Sequence, residues 1–227
     1  MNHIFLIFGY GAPKNISKDD NYNIYLKTVF NKIYSLTVKH KINRPIIILN
    51  GGHTDCYKPY RRTEAGEMLK FFKNLIEKPA LKQIIKNWIW LCEKKSISTL
   101  ENLLYSQEIF SKKKKKMKAN LYIFCEQTRK RKVEILSKKI FSKKYNLKVI
   151  PIDFDTSANR YLDAKFIKRK EEQDIKHALW ALKSSANLKK HHQFFQKKLK
   201  IFRKTKQSRH VKTIEDWWKF KLKELEK

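Results

Sequence analysis

Four polar side chains recur at three-residue intervals after a short apolar run: Glu93, Ser96, Thr99 and Asn102. Between them, Ser98 and Glu101 have the spacing of a capping box, which predicts that a helix begins there. In an open α/β sheet, such a helix directs its unpaired amides and the positive end of its dipole into the ligand crevice. The stretch therefore has two interpretations, a capped helix start and one wall of a pocket that suits an anion.

Two glycine-bearing loops follow the first two apolar runs of the chain. They contain Gly9 and Gly11 in the first loop, and Asn50, Gly51 and Gly52 in the second. Glycine lets a backbone come close to a ligand, so both loops are candidates for a phosphate cradle. Because neither has the third glycine of a dinucleotide-binding fingerprint, an ordinary turn is the alternative. The later 93–102 stretch also follows a strand, which favours one shared pocket.

Charged residues beside the predicted helix starts complete the candidate pocket. Arg62 precedes a helix that begins near Thr63, and Arg129 follows the fourth apolar run. Both suit an anion, and solvated arginines are the alternative. Glu64 and Glu93 are the candidates for catalysis, because a carboxylate can orient a hydroxyl or act as a general base. A neighbouring arginine would lower the pKa of such a glutamate and make it a poorer base.

The elements that must position these residues follow from hydrophobic periodicity. Five strand-like apolar runs alternate with helical patterns: residues 4–8, 46–49, 89–92, 121–125 and 147–152. Such runs are typical of parallel strands buried on both faces and joined by crossover helices. The predicted fold is α/β, a Rossmann-like three-layer fold with a mostly parallel five-stranded sheet. We expect this domain at residues 1–157 and a basic helical C-terminal extension packing on it at residues 158–227.

The chain is strongly basic, with 53 Lys and Arg against 21 Asp and Glu and a formal net charge of +32. This charge favours an anionic partner, whereas codon bias in an AT-rich genome is the alternative origin. Between residues 189 and 212, basic residues and phenylalanines at helical spacing predict a basic amphipathic helix. Two roles stay open for it: contact with nucleic acid or an acidic membrane surface, and a structural cover for the sheet's edge.

Signals for metals, disulfides and membrane spans are few. The three cysteines are far apart and odd in number: Cys56, Cys92 and Cys125. This pattern indicates neither a disulfide framework nor a zinc knuckle, and it favours a cytoplasmic location. No metal site is predicted, because His53 and Cys56 lack further ligands nearby, and Asp153 and Asp155 favour a turn over a metal or hydroxyl ligand site. The run at 4–8 is too short for a membrane span.

The motif E-x-x-S-x-x-T-x-x-N at 93–102, with a Gly-Gly loop followed by Glu64-Ala65, resembles the YdcF/SanA/ElyC-like family, also called domain of unknown function 218. The resemblance spans about residues 4–152. It departs at Asn50, where the family commonly has Ser, and after the fourth strand, which lacks the family's His. It implies a crevice at the ends of strands one to four. Some members resemble binders of nucleotides or S-adenosylmethionine, and others are linked to cell-envelope polysaccharide metabolism.

Two functional hypotheses result. In the first, the crevice binds a phosphorylated or nucleotide-like small molecule, and whether the protein is also an enzyme, a transferase or a hydrolase, stays open. In the second, the α/β body is a scaffold, and the basic helical tail binds nucleic acid or an anionic membrane. The predicted ligand-binding residues are Gly9, Gly11, Asn50, Gly51, Gly52, Arg62, Glu64, Glu93, Ser96, Thr99, Asn102 and Arg129.

Overall fold

The computed structural model describes residues 2–77, 79–113, 118–141, 145–153, 164–206 and 209–225. Its strands are β1 (Asn2–Phe8), β2 (Ile46–Asn50), β3 (Ile89–Glu93), β4 (Ala119–Glu126) and β5 (Tyr145–Ile152). They form one parallel sheet in the order β3-β2-β1-β4-β5. In its centre, Ile4 of β1 pairs with Ile46 of β2 on one side and with Leu121 of β4 on the other.

Eight α-helices lie within the described ranges: α1 (Asp20–Lys39), α2 (Glu64–Ile76), α3 (Pro79–Ile85), α4 (Thr99–Lys113), α5 (Lys130–Ile140), α6 (Ala164–Ala181), α7 (Ser185–Lys204) and α8 (His210–Leu225). A 3₁₀ turn at Gln127–Arg129 joins β4 to α5. The side chain of Asp19 caps α1 by accepting from the amide of Tyr22. Thr63 caps α2 in the same way through the amide of Gly66, as its position in the sequence predicts.

The sheet separates two apolar cores, so the molecule has three layers. On one face, the helices α1, α2 and α3 bury residues such as Leu26 and Phe72 against Phe5. On the other face, α4, α5 and α6 bury residues such as Leu136 against Leu6. Successive residues of β1 therefore serve opposite cores, because side chains alternate along a strand. The predicted Rossmann-like α/β fold with a parallel five-stranded sheet is confirmed.

The strand order creates a topological switch point between β1 and β4. The chain proceeds outward from β1 through β2 to β3, and then β4 and β5 are added on the other side of β1. The connections that leave β1 and β4 consequently turn to opposite faces of the sheet. Ligands of open α/β sheets bind in the crevice that such divergent loops leave at the carboxyl ends of the strands.

The C-terminal extension is helical, as predicted, and α7 crosses the carboxyl ends of the strands. Near the start of α7, His192 Nδ1 lies 2.7 Å from Glu101 Oε1 of α4. At its other end, Arg203 donates to the carbonyl oxygens of Asp55 and His53, at 3.0 and 2.8 Å. The helix therefore covers the crevice instead of the edge of the sheet.

The last helix, α8, packs against α6 and α7 and buries Trp217 and Trp218. The predicted boundary between residues 157 and 158, and also Asp155, lie outside the described residues. No described helix combines the length and the apolar character that crossing a bilayer requires.

Candidate functional site

A cavity of about 280 Å³ lies at the switch point, between the strand ends and the C-terminal helices. Eight of the twelve predicted residues line it: Gly9, Gly11, Gly51, Glu64, Ser96, Thr99, Asn102 and Arg129. They form the wall on the side of the sheet, and α6, α7 and α8 form the opposite wall. Four predicted residues are not in the lining: Asn50, Gly52, Arg62 and Glu93.

The loop after β1 is held in place by two tyrosines of α1. Tyr25 donates its hydroxyl to the carbonyl oxygen of Phe8 at 2.7 Å, and Tyr22 donates to that of Gly11 at 2.5 Å. The Tyr22 hydroxyl also accepts from the amide of Tyr10 at 3.0 Å. Because both α1 tyrosines are buried, these bonds are shielded from water and fix the path of the loop.

The loop after β2 is packed too closely for side chains. A Cβ at Gly51 would lie 2.5 Å from the Cβ of Glu64, and one at Gly52 would lie 2.5 Å from the carbonyl oxygen of Ser96. Gly51 also has a φ of +142°, which L-residues rarely adopt. The two glycines therefore allow the β2 loop, α2 and the loop before α4 to meet beneath the cavity.

The amides of both glycine loops are already occupied within the protein. Gly9 N donates to Asn50 O, Tyr10 N to Tyr22 Oη, Gly51 N to Glu93 O and Gly52 N to Ser96 O. The amide of Gly11 is hydrogen-bonded to the carboxyl group of Glu64. The backbone phosphate cradle expected from the glycines is therefore not formed. These loops supply shape, and charge recognition must come from side chains.

Asn50 and Glu93 lie beneath the cavity and organise its loops. Asn50 is fully buried, and its Oδ1 accepts from the hydroxyl of Ser106 in α4. Glu93 is buried and accepts from the amides of Lys95 and Ser96 at 2.5 and 3.0 Å, and also from the Ser96 hydroxyl. Glu93 therefore folds the loop that leads into α4, and its carboxylate is not presented to a ligand as a base.

The predicted capping pair opens α4 with one difference from the expected pattern. The Ser98 hydroxyl accepts from the amide of Glu101 at 3.3 Å, but Glu101 Oε2 accepts from the amide of Ile97 at 2.7 Å. Burial raises the pKa of Glu101, although the Ile97 amide and His192 act in the opposite direction. The cap thus leaves Thr99, the first residue of α4, in the wall of the cavity.

Arg62 does not reach the cavity, so the expectation that it faces a bound anion is corrected. Its guanidinium makes two bonds to the buried carboxylate of Asp55, at 2.8 and 3.1 Å. It also donates to the carbonyl oxygens of Pro13 and Lys14, at 2.7 and 2.8 Å. These bonds join the loops after β1 and β2 and leave the guanidinium committed to the protein. The hydrogen bond to Asp55 raises the pKa of Arg62.

Glu64 is the carboxyl group that the sheet side presents to the cavity. It is buried, and the hydroxyl of Thr54 donates to its Oε1 at 2.5 Å. Burial raises the pKa of Glu64, while Thr54, Arg129 and the amide of Gly11 oppose that shift. The effect of burial on this pKa is thus larger than that of Arg129, contrary to the expectation of a lowered pKa. Glu64 is therefore a better base than expected. Arg129 donates to the carbonyl oxygen of Gly9 at 2.9 Å and also lines the cavity.

The rest of the lining includes residues that the sequence analysis did not assign to the pocket: Lys132 of α5, Lys170 and Asp174 of α6, Phe195, Lys198 and Phe202 of α7, and Trp218 of α8. One signal could have identified Lys198. It follows Phe195 by three residues and precedes Phe202 by four, which places a lysine on the apolar side of α7.

Two of these lysines belong to a buried ion network. Lys132 Nζ lies 2.7 Å from both Glu171 Oε2 and Asp174 Oδ2, and Lys170 Nζ lies 2.6 Å from Glu171 Oε1. Burial opposes the charge on Lys132, but Asp174 and Glu171 outweigh it and raise the pKa of that lysine. Burial likewise opposes the charge of Asp174, but Lys132 and Lys170 outweigh it and lower its pKa. Burial lowers the pKa of Lys170, although Glu171 opposes that shift. The paired charges of the network largely neutralise one another.

Lys198 differs, because no acidic group within the described part of the chain pairs with it. Its ammonium lies 5.5, 5.6 and 5.4 Å from the ring centres of Phe195, Phe202 and Trp218. Burial lowers the pKa of Lys198 to about 8, and the charge of Lys170 adds to this shift. The indole N–H of Trp218 is buried and has no hydrogen-bond partner in the described ranges.

Within the described ranges, no three His, Cys, Asp or Glu side chains are grouped as metal ligands. The cysteines are free, and burial raises the pKa of the Cys125 thiol to about 12. Comparison with known proteins adds no assignment: no family model matches this chain, and no curated protein or solved structure matches it.

Proposed function

We propose that the cavity at the switch point binds a small anionic molecule, of a phosphorylated or nucleotide-like kind. The observation that carries this proposal is the ammonium of Lys198 in the cavity wall, which pairs with no acidic group among the described residues. A charge withdrawn from water without an acidic partner is costly, and an anionic ligand would supply the missing partner.

The rest of the lining suits such a ligand. Four basic side chains face the cavity: Arg129, Lys132, Lys170 and Lys198. Asp174 and Glu171 balance two of them. The positive end of the α4 dipole lies at Thr99, in the wall of the cavity. The aromatic rings on α7 and α8 supply an apolar surface for a ring or chain next to the anionic group.

The E-x-x-S-x-x-T-x-x-N motif and the Gly-Gly loop support membership of the YdcF/SanA/ElyC-like family as part of this proposal. On that basis, a nucleotide or S-adenosylmethionine is the first ligand class to try, and a transferase or hydrolase reaction the first class of chemistry. Glu64 is the residue that would act as a base, since it lines the cavity and burial raises its pKa.

A thermal-shift experiment with inorganic phosphate, pyrophosphate and AMP tests the proposal. A ligand present at 100 times its Kd should raise the Tm of a chain of this size by about 5–10 °C. Lys198→Met removes the charge with little change in length, so it should abolish the shift. Lys197→Met, on the exposed side of the same helix, is the matched control and should keep it. A panel without any shift, or equal shifts in both variants, would exclude anion binding at this cavity.

The outer face of α7 supports a second candidate function. Its exposed lysines fall within an arc of about 100° when the helix is viewed along its axis, opposite the side that covers the cavity. They are Lys189, Lys190, Lys197, Lys200 and Lys204. Such a stripe matches a row of phosphates on nucleic acid, or the headgroups of an acidic membrane.

Binding of the full chain to double-stranded DNA, RNA and acidic vesicles at rising salt tests this stripe. Each phosphate contact contributes about −0.9 to the slope of log K against log salt on duplex DNA. Replacing the five lysines by Gln should flatten that slope. If the slope and the affinity are unchanged, the stripe is only a solvated helix face.

A further inference from the structure

We infer that Lys198 is an imine-forming amine, whose nitrogen attacks the carbonyl carbon of a small aldehyde or keto acid held in the cavity. The inference rests on the proposed function, because a carboxylate or phosphate on that molecule would be held by the neighbouring cations. It adds a covalent step that the binding of an anion does not require.

The surroundings of Lys198 favour the neutral amine, the form that has a nucleophilic lone pair. Three aromatic rings keep water away from the amine, and although their faces attract an ammonium, no carboxylate in the described part of the chain accepts its proton. Lysines become nucleophiles in proteins by this route, through an apolar pocket or a second cation nearby. Lys132 and Lys170 line the same cavity, but each lies within 2.7 Å of a carboxylate that favours the ammonium form. Burial lowers the pKa of Lys170 as well, so what sets Lys198 apart is that it has no such carboxylate among the described residues.

Charged groups from several elements act on this amine. Lys170 and Asp174 face it from α6, Arg129 from the segment after β4, and Lys132 from α5. Burial, Lys170, Arg129 and Lys132 disfavour the ammonium, and only Asp174 favours it, so the pKa of Lys198 is lowered to about 8. About a tenth of such an amine is neutral at pH 7, against less than about a thousandth of an ordinary lysine.

The step is balanced without an oxidant or a reductant. The lone pair of Nζ forms a bond to the carbonyl carbon, and the carbonyl oxygen takes up a proton to give a carbinolamine. That oxygen takes up a second proton and leaves as water, and a C=N bond remains between the substrate carbon and Lys198. Over the two steps nitrogen gives up two protons and the oxygen gains two through the solvent, so the net products are the imine and one water. The α7 and α8 rings shield the bond from bulk water.

Reductive trapping on the full chain tests the inference. The protein is incubated with glyoxylate, the smallest aldehyde with a carboxylate, and with sodium cyanoborohydride, which converts an imine into a stable secondary amine. Peptide mass spectrometry then gives the adduct at each lysine. The exposed neighbours Lys197 and Lys200 on α7 are internal controls. At pH 7 the adduct at Lys198 should exceed theirs at least about tenfold, and its yield should rise with pH to a plateau, with a midpoint near 8.

Acetaldehyde serves as the uncharged control, and it should label Lys198 less than glyoxylate does. Equal labelling of Lys197, Lys198 and Lys200 would overturn the inference. This comparison is made within the parent protein, so it does not depend on the folding of a variant. Lys198→Arg keeps the positive charge and should lose the adduct while still responding to phosphate. If phosphate raises the Tm of the parent protein and glyoxylate does not label Lys198, the amine only binds anions and the proposed function stands. If neither occurs, both proposals fail.

Discussion

Glu64 fills the space in which a side chain at residue 9 would lie: a Cβ built on Gly9 would be 2.1 Å from Glu64 Oε2. The side chain at the start of α2 therefore packs directly against the backbone of the loop after β1, beside the cavity. Gly9 is required here for close approach, since its backbone is not in the left-handed region.

Gly9→Ala should therefore destabilise the protein by about 1–3 kcal/mol, because the added methyl displaces a buried carboxylate. In a Glu64→Ala background the same substitution should cost clearly less, since the carboxylate is gone. Urea denaturation of the parent, the two single variants and the double variant gives the coupling free energy. Additive effects would show that the two residues do not compete for this space.

Arg62→Ala should lower stability and leave ligand binding largely intact, because Arg62 pairs with Asp55 and not with the cavity. The change leaves a buried carboxylate unpaired, which costs about 3 kcal/mol. Arg61→Ala, at the exposed neighbouring position, should change stability by less than about 0.5 kcal/mol. Denaturation and the phosphate thermal shift are measured on both variants. If Arg62→Ala abolished the shift with little loss of stability, Arg62 would belong to the binding site after all.

Acid should destabilise the protein partly through His191. Burial lowers the pKa of His191 to about 4, and the neighbouring His177 adds to that shift. Between about pH 6.5 and about pH 4 the unfolded state therefore binds more protons at this residue, and stability falls as the pH falls, by up to about 3 kcal/mol.

In His191→Phe the loss of stability on acidification should be smaller than in the parent. The exposed control His53→Phe should lose as much stability between pH 7 and pH 4 as the parent does. Denaturation midpoints measured at intervals from pH 7 to pH 4 give the comparison. Identical pH profiles of His191→Phe and the parent would contradict the assignment.

Lys198→Met should make the protein more stable while it removes anion binding. The pKa of Lys198 in the folded state, about 8, is below that of a free lysine. Below pH 8 the folded state consequently bears the full cost of a half-buried ammonium, and this cost is relieved as the pH rises from about 8 to about 10.5. At pH 7 the Tm of the variant should exceed that of the parent by about 2–4 °C, equivalent to about 1 kcal/mol.

The difference in Tm between Lys198→Met and the parent should narrow as the pH is raised through 9 and 10. Lys197→Met provides the control for removal of a lysine as such. A variant less stable than the parent at pH 7 would mean that the aromatic contacts of Lys198 contribute more to the fold than its burial costs.

The sheet could be predicted from the sequence because parallel strands buried on both faces read as unbroken apolar runs, as at Ile4 and Ile46. The start of α4 was also predictable, since the Ser98 and Glu101 cap is a local pattern. Eight of the predicted site residues line one cavity for the same reason: each lies between the carboxyl end of a strand and the first turn of the helix that follows it.

The partners of those residues were not predictable, because they depend on contacts between distant loops. Arg62 is bound by Asp55 and by two carbonyl oxygens some 50 residues earlier in the chain, and nothing local indicates either partner. The occupied amides at Gly51 and Gly52 likewise depend on how three loops meet. The role of Lys198 requires knowing where α7 is placed, and its spacing among phenylalanines shows only that it lies on the apolar side.

The position of α7 across the strand ends sets the order in which the site can be assembled during synthesis. All five strands and Glu64, Thr99 and Arg129 leave the ribosome before Lys198 and Trp218 are made. Domains generally begin to fold from the N-terminus as the chain emerges. The sheet can therefore be complete while one wall of the cavity is still missing, and the cavity closes only after α7 and α8 have been made.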